Sequence, residues 1–157
     1  MDKSSSYASD RLAFRGIRKE DASLIVEWRS DPDNYRFFLN PRPITIEQHL
    51  AWFERYLEDE TRYDFLIFDE NRTPIGVVGL SNITADSCEV NYIVGVKEAR
   101  GRGFASEAVE TMTRIAFDEL GVKSVFARIL VGNEASEHVA RKAGYEEFER
   151  VFRVSRS

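Results

Sequence analysis

Residues 99–106 read Ala-Arg-Gly-Arg-Gly-Phe-Ala-Ser, and no other run constrains the fold as much. Before it, Cys88, Val90, Tyr92, Val94 and Val96 share one face of a strand-like alternation. After it, Ala105, Ala108, Val109, Met112, Ala116 and Leu120 recur at helical spacing, with Gly121 as a stop. The run therefore stands where a strand becomes a helix N-terminus. Main-chain N–H groups point outward there, with the positive end of the helix dipole behind them. Gly101 and Gly103 lack a Cβ, so a bulky anion can come close to the backbone. These are the residues of a phosphate or pyrophosphate cradle; the competing reading is a solvated turn.

Three kinds of cradle are distinguishable. A P-loop needs Gly-x-x-x-x-Gly-Lys before Ser or Thr, which the chain lacks. Gly101-x-Gly103-x-x-Ser106 approaches a dinucleotide fingerprint, but the region after Leu120-Gly121-Val122-Lys123 supplies no carboxylate at a second strand end. Arg100, Gly103 and Ala105 match Arg/Gln-x-x-Gly-x-Gly/Ala, and here the chain resembles the coenzyme A loop of the GCN5-related N-acetyltransferases (GNAT). Downstream, the run from Asn133 to Tyr145 resembles that family's second signature, Asn-x-x-Ser/Ala, a short helix, then Gly-Phe/Tyr. Two motifs in order, separated by a helix and a strand, are more specific than either alone.

Composition narrows the partners. The chain has 157 residues, 43% hydrophobic and 31% charged, the size of one domain burying about 70% of its unfolded surface. Its net charge of −5 argues against nonspecific nucleic-acid binding. No apolar run approaches a membrane span. One cysteine, Cys88, excludes an internal disulfide framework and suits a reducing cytosol, so a cytoplasmic location is expected. Cys88 shares the apolar strand face and reads as core. No metal is expected, and the protein is expected as a monomer or homodimer.

Residues 1–10 read as a flexible polar lead-in and 11–157 as a single domain. Strands are expected at 12–18, 64–69, 75–80, 88–96, 124–131 and about 145–154. Helices are expected at 19–29, at 45–58 (with Thr45 as N-cap and Ile46, Leu50, Phe53 and Leu57 on one face), after the cradle, and after Asn133. This is an α/β pattern, and the resemblance implies a mixed sheet flanked by helices, the GNAT acyltransferase fold. It also implies that two late strands part to leave a slot for the pantetheine arm.

The resemblance implies acetyl-CoA as cofactor and acetyl transfer to an amine. The loop from Arg100 through Gly101, Arg102, Gly103 and Phe104 to Ala105 would hold the pyrophosphate. Main-chain groups of Val94 and Val96 would meet the pantetheine. Asn133 reads as a helix N-cap whose NH2 remains free for a pantetheine carbonyl. Ser136, one turn on, is a second contact or a surface serine. Glu89 is the first candidate for general base; the run Glu89-Val90-Asn91-Tyr92-Ile93 resembles the Glu-Ile-Gly-Tyr pattern of the Rim-type branch, with Asn91 in place of glycine. His49 is the alternative base, beside Trp52, Phe53 and Tyr56. Many relatives carry a tyrosine acid where this chain has Ala140, so no acid is assigned.

For the acceptor, Trp28-Arg29-Ser30-Asp31-Pro32 and the run from Ile44 to Phe53 resemble acetyltransferases acting on nucleotide-linked amino sugars. Arg29, Arg36 and Arg42 could face a diphosphate. Arg29, Trp52, Asn82 and Asn91 are the candidate acceptor contacts. The alternatives are a Rim-type protein N-terminal or polyamine acetyltransferase, and a domain that binds acyl-CoA without turnover.

Overall fold

The computed structural model describes residues 1–156. In chain order it contains β1 (Ser6–Ala8), β2 (Ala13–Gly16), a 3-10 turn (Lys19–Asp21), α1 (Ala22–Ser30), a short α2 (Pro32–Tyr35) and α3 (Ile46–Glu58). β3 (Tyr63–Phe68), β4 (Pro74–Ser81), β5 (Ser87–Val94), α4 (Phe104–Ile115) with a π turn (Ala116–Leu120), β6 (Ser124–Phe126) and α5 (Glu134–Lys142) follow. The six strands form one sheet in sequence order, antiparallel except for the parallel pair β5–β6.

Alternation along the strands decides which helix covers which face. Phe65, Val78, Leu80, Val90 and Tyr92 face α4, where Ala108, Val109 and Met112 are fully buried. Leu66, Val77 and Ile93 face α1 and α3, where Ile25, Trp28, Phe53 and Tyr56 pack. A buried side chain of this size contributes about 1.5–3 kcal/mol. Trp28 lies so close to the chain after β5 that a Cβ on Gly95 would meet its ring at 2.2 Å. Glycine at 95 thus lets α1 seat against the sheet.

Several expectations shift. The lead-in at 1–10 instead builds β1, which pairs with β2 in the register Tyr7↔Phe14. Lys3 anchors it, with Nζ 3.8 Å from the Tyr56 ring centroid and donating to the carbonyls of Asp59 and Arg62. The α3 helix has Thr45 as N-cap, in a reciprocal capping box with Gln48. Its buried stripe, however, is His49, Phe53 and Tyr56, and Ile46 and Leu57 stay 40% and 46% exposed. The Tyr56 hydroxyl sets that rotation, accepting from the Asp64 amide (3.0 Å).

The strand expected at 88–96 ends at Val94, because the amides of Gly95 and Val96 both turn to the Ile75 carbonyl. That expected at 124–131 pairs only over Ser124–Phe126. No strand forms at 145–154. The short β6 offers little ladder to extend, and Phe148, Phe152 and Val154 are 79–95% exposed, with Phe148 alone reaching the Phe126 ring (5.6 Å).

Candidate active site

β5 and β6 run together for only three residue pairs, ending at Glu89↔Phe126. Beyond that point residues 90–94 and 127–131 part, and a cleft of about 1050 Å³ opens between them. The slot implied by the family resemblance is present. It has two ends of different construction.

At one end lies the 99–106 loop. Gly103 is the N-cap of α4 in the left-handed region (φ 80°), and the first intrahelical bond runs from the Glu107 amide to the Gly103 carbonyl. The preceding amides therefore lack helical acceptors. Arg11 Nη2 and Lys142 Nζ both lie 3.3 Å from where a Gly103 Cβ would stand, so two cations converge on the loop. Arg11 also donates to the Arg102 carbonyl (2.7 Å) and to Glu107 (Nε–Oε2 2.7 Å). Burial raises the Glu107 pKa, but the Ser9 hydroxyl, the Arg11 amide and the Arg11 guanidinium outweigh it and hold it below its ordinary value. Free amides, two cations and a glycine opening fit a pyrophosphate. Phe104 is 3% exposed with its ring under Arg11 and Arg102, so only its main chain faces the loop's concave side. Gly101 and Ala105 complete the turn. Arg100 behaves differently: its guanidinium folds back to the Val94 carbonyl (3.2 Å) and the Asn34 side chain, bracing the end of β5.

Along the cleft, Val94 lines the wall but Val96 does not. The Val96 amide goes to Ile75 and its carbonyl receives the Ala99 amide, so its main chain is already engaged within the fold. Asn133 caps α5, accepting from the Ser136 amide (3.2 Å), and its NH2 group carries no hydrogen bond among the described residues. Ser136 Oγ stands 3.1 Å from the Tyr92 hydroxyl, and both line the cleft. Tyr145 packs inward, 2.6 Å from Thr113 Oγ, while His138 faces solvent.

The other end is built from side chains. Glu89 lines the cleft where the strands part, its Oε1 held by Arg128 Nε at 2.7 Å, with Oε2 free of partners among the described residues. Beside it Asn91 donates to Ser81 Oγ (3.2 Å), and Asn82 lines the same wall. Deeper in, a smaller cavity of about 220 Å³ is lined by Arg29, Ile44, Gln48, His49, Trp52 and Arg62, four of which also line the main cleft. Arg62 pairs bidentately with buried Asp64 (2.6 and 3.2 Å) and lies 5.2 Å from the Trp52 ring centroid. His49 is 3% exposed with Nε2 unpartnered; burial first, then Arg29, lowers its pKa. Arg29 Nε is likewise buried without a partner, and among the described residues Arg29 forms no ion pair, though Asp64 lies near enough to favour its charge. Of the other early arginines, Arg36 lines the cleft and Arg42 does not.

The sequence pattern brought Glu89, His49, Arg29, Trp52, Asn82 and Asn91 to one cavity. It missed Arg62, Asp64 and Arg128. Arg62 and Asp64 are two residues apart and so share a face at the start of β3, a signal that was available. The Arg128–Glu89 pair spans 39 positions and leaves no local trace. Among the described residues, no helix is long and apolar enough to cross a membrane, and no group of three potential metal ligands occurs.

A family model described as acetyltransferase (GNAT) domain matches residues 11–146. Acetyltransferase PseH of Campylobacter jejuni is 27% identical over 120 residues, covering 76% of this chain and 73% of that protein. An uncharacterized Methanocaldococcus jannaschii protein is 28% identical over 140 residues, 87% of this chain; the chain spans only 28% of that protein. In solved structures, spermidine N-acetyltransferase from Vibrio cholerae, in complex with CoA and spermine, superposes with a TM-score of 0.83 at 19% identity, covering 90% of this chain and 84% of that one. A domain from Methanocaldococcus jannaschii superposes at 0.78 with 26% identity, covering 94% and 93%. Because the family match runs from Arg11 to Glu146 and so crosses both motifs, the chain belongs to the GNAT acetyltransferases, with acetyl-CoA as acyl donor.

Proposed function

We propose that this acetyltransferase moves the acetyl group onto a primary amine of a small acceptor that also carries an anionic group, a nucleotide-linked amino sugar being the class that fits. One observation carries the acceptor reading. Arg29 is half-buried with its Nε enclosed and unpartnered and, among the described residues, forms no ion pair, beside His49, whose Nε2 is also unpartnered. Burial and the neighbouring Arg62 both disfavour the Arg29 cation, Asp64 offsetting this only in part, and a phosphate or carboxylate of the acceptor would relieve that cost. Trp52 offers an aromatic wall to the same space.

A polyamine acceptor is the second reading, favoured by the shape likeness to the Vibrio cholerae spermidine enzyme. A polycation needs spare carboxylates. Here Asp64 is already paired with Arg62, Glu89 with Arg128 and Asp33 with Lys97, leaving Glu134 as the cleft-lining carboxylate without an ion pair among the described residues, which weighs against it. The chain's residues divide the chemistry as follows. When bound, acetyl-CoA supplies a thioester as activated acyl group. The loop amides, Arg11 and Lys142 hold the pyrophosphate, and Asn133 and the Val94 main chain orient the arm. Arg128 fixes the Glu89 carboxylate at the parting of the strands, where its Oε2 takes the proton the amine loses. The test is thiol release from acetyl-CoA with three separate acceptor pools: amino-sugar nucleotides, basic peptides and polyamines. Turnover with the first pool is expected. Turnover with polyamines alone would overturn the anionic-acceptor reading, and acetyl-CoA binding with no turnover in any pool would favour a non-catalytic role.

A further inference from the structure

We infer that Tyr92, held by Ser136, is the proton donor to the departing sulfur, taking over a task for which α5 of this chain has no residue. The inference rests on the cleft being the coenzyme slot. Four observations lead to it. Ala140, which lines the cleft from α5, is 8% exposed and carries no proton to give. Of the six tyrosines, Tyr92 alone lines the cleft. Tyr7 is tied to Glu119, Tyr56 to the Asp64 main chain and Tyr145 to Thr113, each away from it. The Tyr92 hydroxyl lies 3.1 Å from Ser136 Oγ, and Ser136 stands one turn before Ala140 on the same face of α5. A phenol from the strand thus reaches the wall that Ala140 leaves bare.

The two-residue period of β5 gives the arrangement its logic. Glu89, Asn91 and Ile93 face α1 and α3, the acceptor side; Val90, Tyr92 and Val94 face α4 and α5. Base and donor therefore come from one strand but flank the slot from opposite faces. The amine loses its proton to Glu89 as the carbon–nitrogen bond forms. Tyr92 gives its phenolic proton to sulfur as the carbon–sulfur bond breaks, and regains one from solvent by way of the Ser136 hydroxyl. Free thiol and amide are the products, and no other reactant is needed. Burial raises the Tyr92 pKa, the Ser136 bond lowering it in part, so the phenol is protonated at neutral pH and ready to donate.

The test needs no acceptor. Binding of CoA and of desulfo-CoA is measured by calorimetry for the wild type, Tyr92→Phe and Ser136→Ala, at a pH above the ordinary thiol value of about 8.5, so that bound sulfur is anionic. Loss of one charge-assisted hydrogen bond should weaken CoA about tenfold in Tyr92→Phe and leave desulfo-CoA within about twofold. Ser136→Ala should show a smaller loss confined to CoA. Equal weakening of both ligands would make Tyr92 a packing residue, and unchanged affinity for both would remove it from the sulfur; either overturns the inference while the slot stands. If neither ligand binds the wild type, the coenzyme slot itself is overturned. In turnover, Tyr92→Phe should lower kcat by about a hundredfold with KM for acetyl-CoA unchanged. A ring-fluorinated tyrosine at 92 should restore turnover and move the basic limb of the pH profile to lower pH; an unmoved limb would count against proton donation.

Discussion

The two ends of the cleft are made differently. The end proposed for the coenzyme is a contiguous loop that offers main-chain amides, braced by one ion-pair network in which Glu107 receives Ser9 and Arg11. The acceptor end is a set of side chains brought from α1, α3, β3, β5 and the stretch after β6, and two of its buried polar atoms have no partner. The first has its shape fixed by its own fold, with amides and two cations held ready before an anion arrives. The second is left short of bonds, which leaves stability and specificity to the acceptor.

That contrast can be broken at either end. The largest effect should follow Gly103→Leu. Its φ of 80° is costly for a side chain, and a Cβ there meets Arg11 and Lys142 at 3.3 Å. CoA affinity measured by calorimetry should fall at least about a hundredfold; retained affinity would move the pyrophosphate elsewhere. Glu89→Gln comes next. It should lower kcat by about a hundredfold or more, with acetyl-CoA binding unchanged, because the base belongs to the other end. A fall in coenzyme affinity of the same size would erase the division between the ends.

Arg29→Met sharpens the comparison. KM for an anionic acceptor should rise about tenfold. The thermal midpoint of the ligand-free protein should rise as well, since a half-buried cation with an enclosed, unpartnered Nε is replaced by an apolar chain. A lower midpoint would mean that Arg29 is structural. The smallest effect concerns His49. Its folded-state pKa is depressed, so below its unfolded value near 6.5 the unfolded chain binds the proton more readily. Stability should therefore be lost as pH falls from about 7 to 5. Thermal melts of His49→Phe across that range should be flatter than those of the wild type; parallel curves would assign the loss to other groups.

Particular residues show why one end was the easier to read. Gly101 and Gly103 declare themselves because the conformation they need is local, and Asn133 because a cap sits at a fixed place before its helix. Glu89 and Arg128 could each be assigned to an expected strand, but their pairing could not, since parallel neighbours lie far apart in sequence. His49 reads as a helix-surface residue from composition alone. The Tyr56 bond to Asp64 rotates α3, turning His49 inward in place of Leu50. The strand expected at 145–154 failed for a related reason. Alternation reports a propensity, and a strand also needs an edge to pair with.

By itself the sequence determined the glycine loop at a strand-to-helix turn, the order of the elements from β2 to α5 apart from the short α2, the two family motifs and hence the reaction class. All of these depend on spacings along the chain, which covalent geometry carries into the fold unchanged. Only the tertiary structure decided where β5 and β6 part, which face of α3 turns inward, that Arg29 Nε is enclosed without a partner, and that Tyr92 reaches the helix of Ala140. Those outcomes arise where packing of distant segments competes with local preference, and there the buried contacts outweigh the local signal.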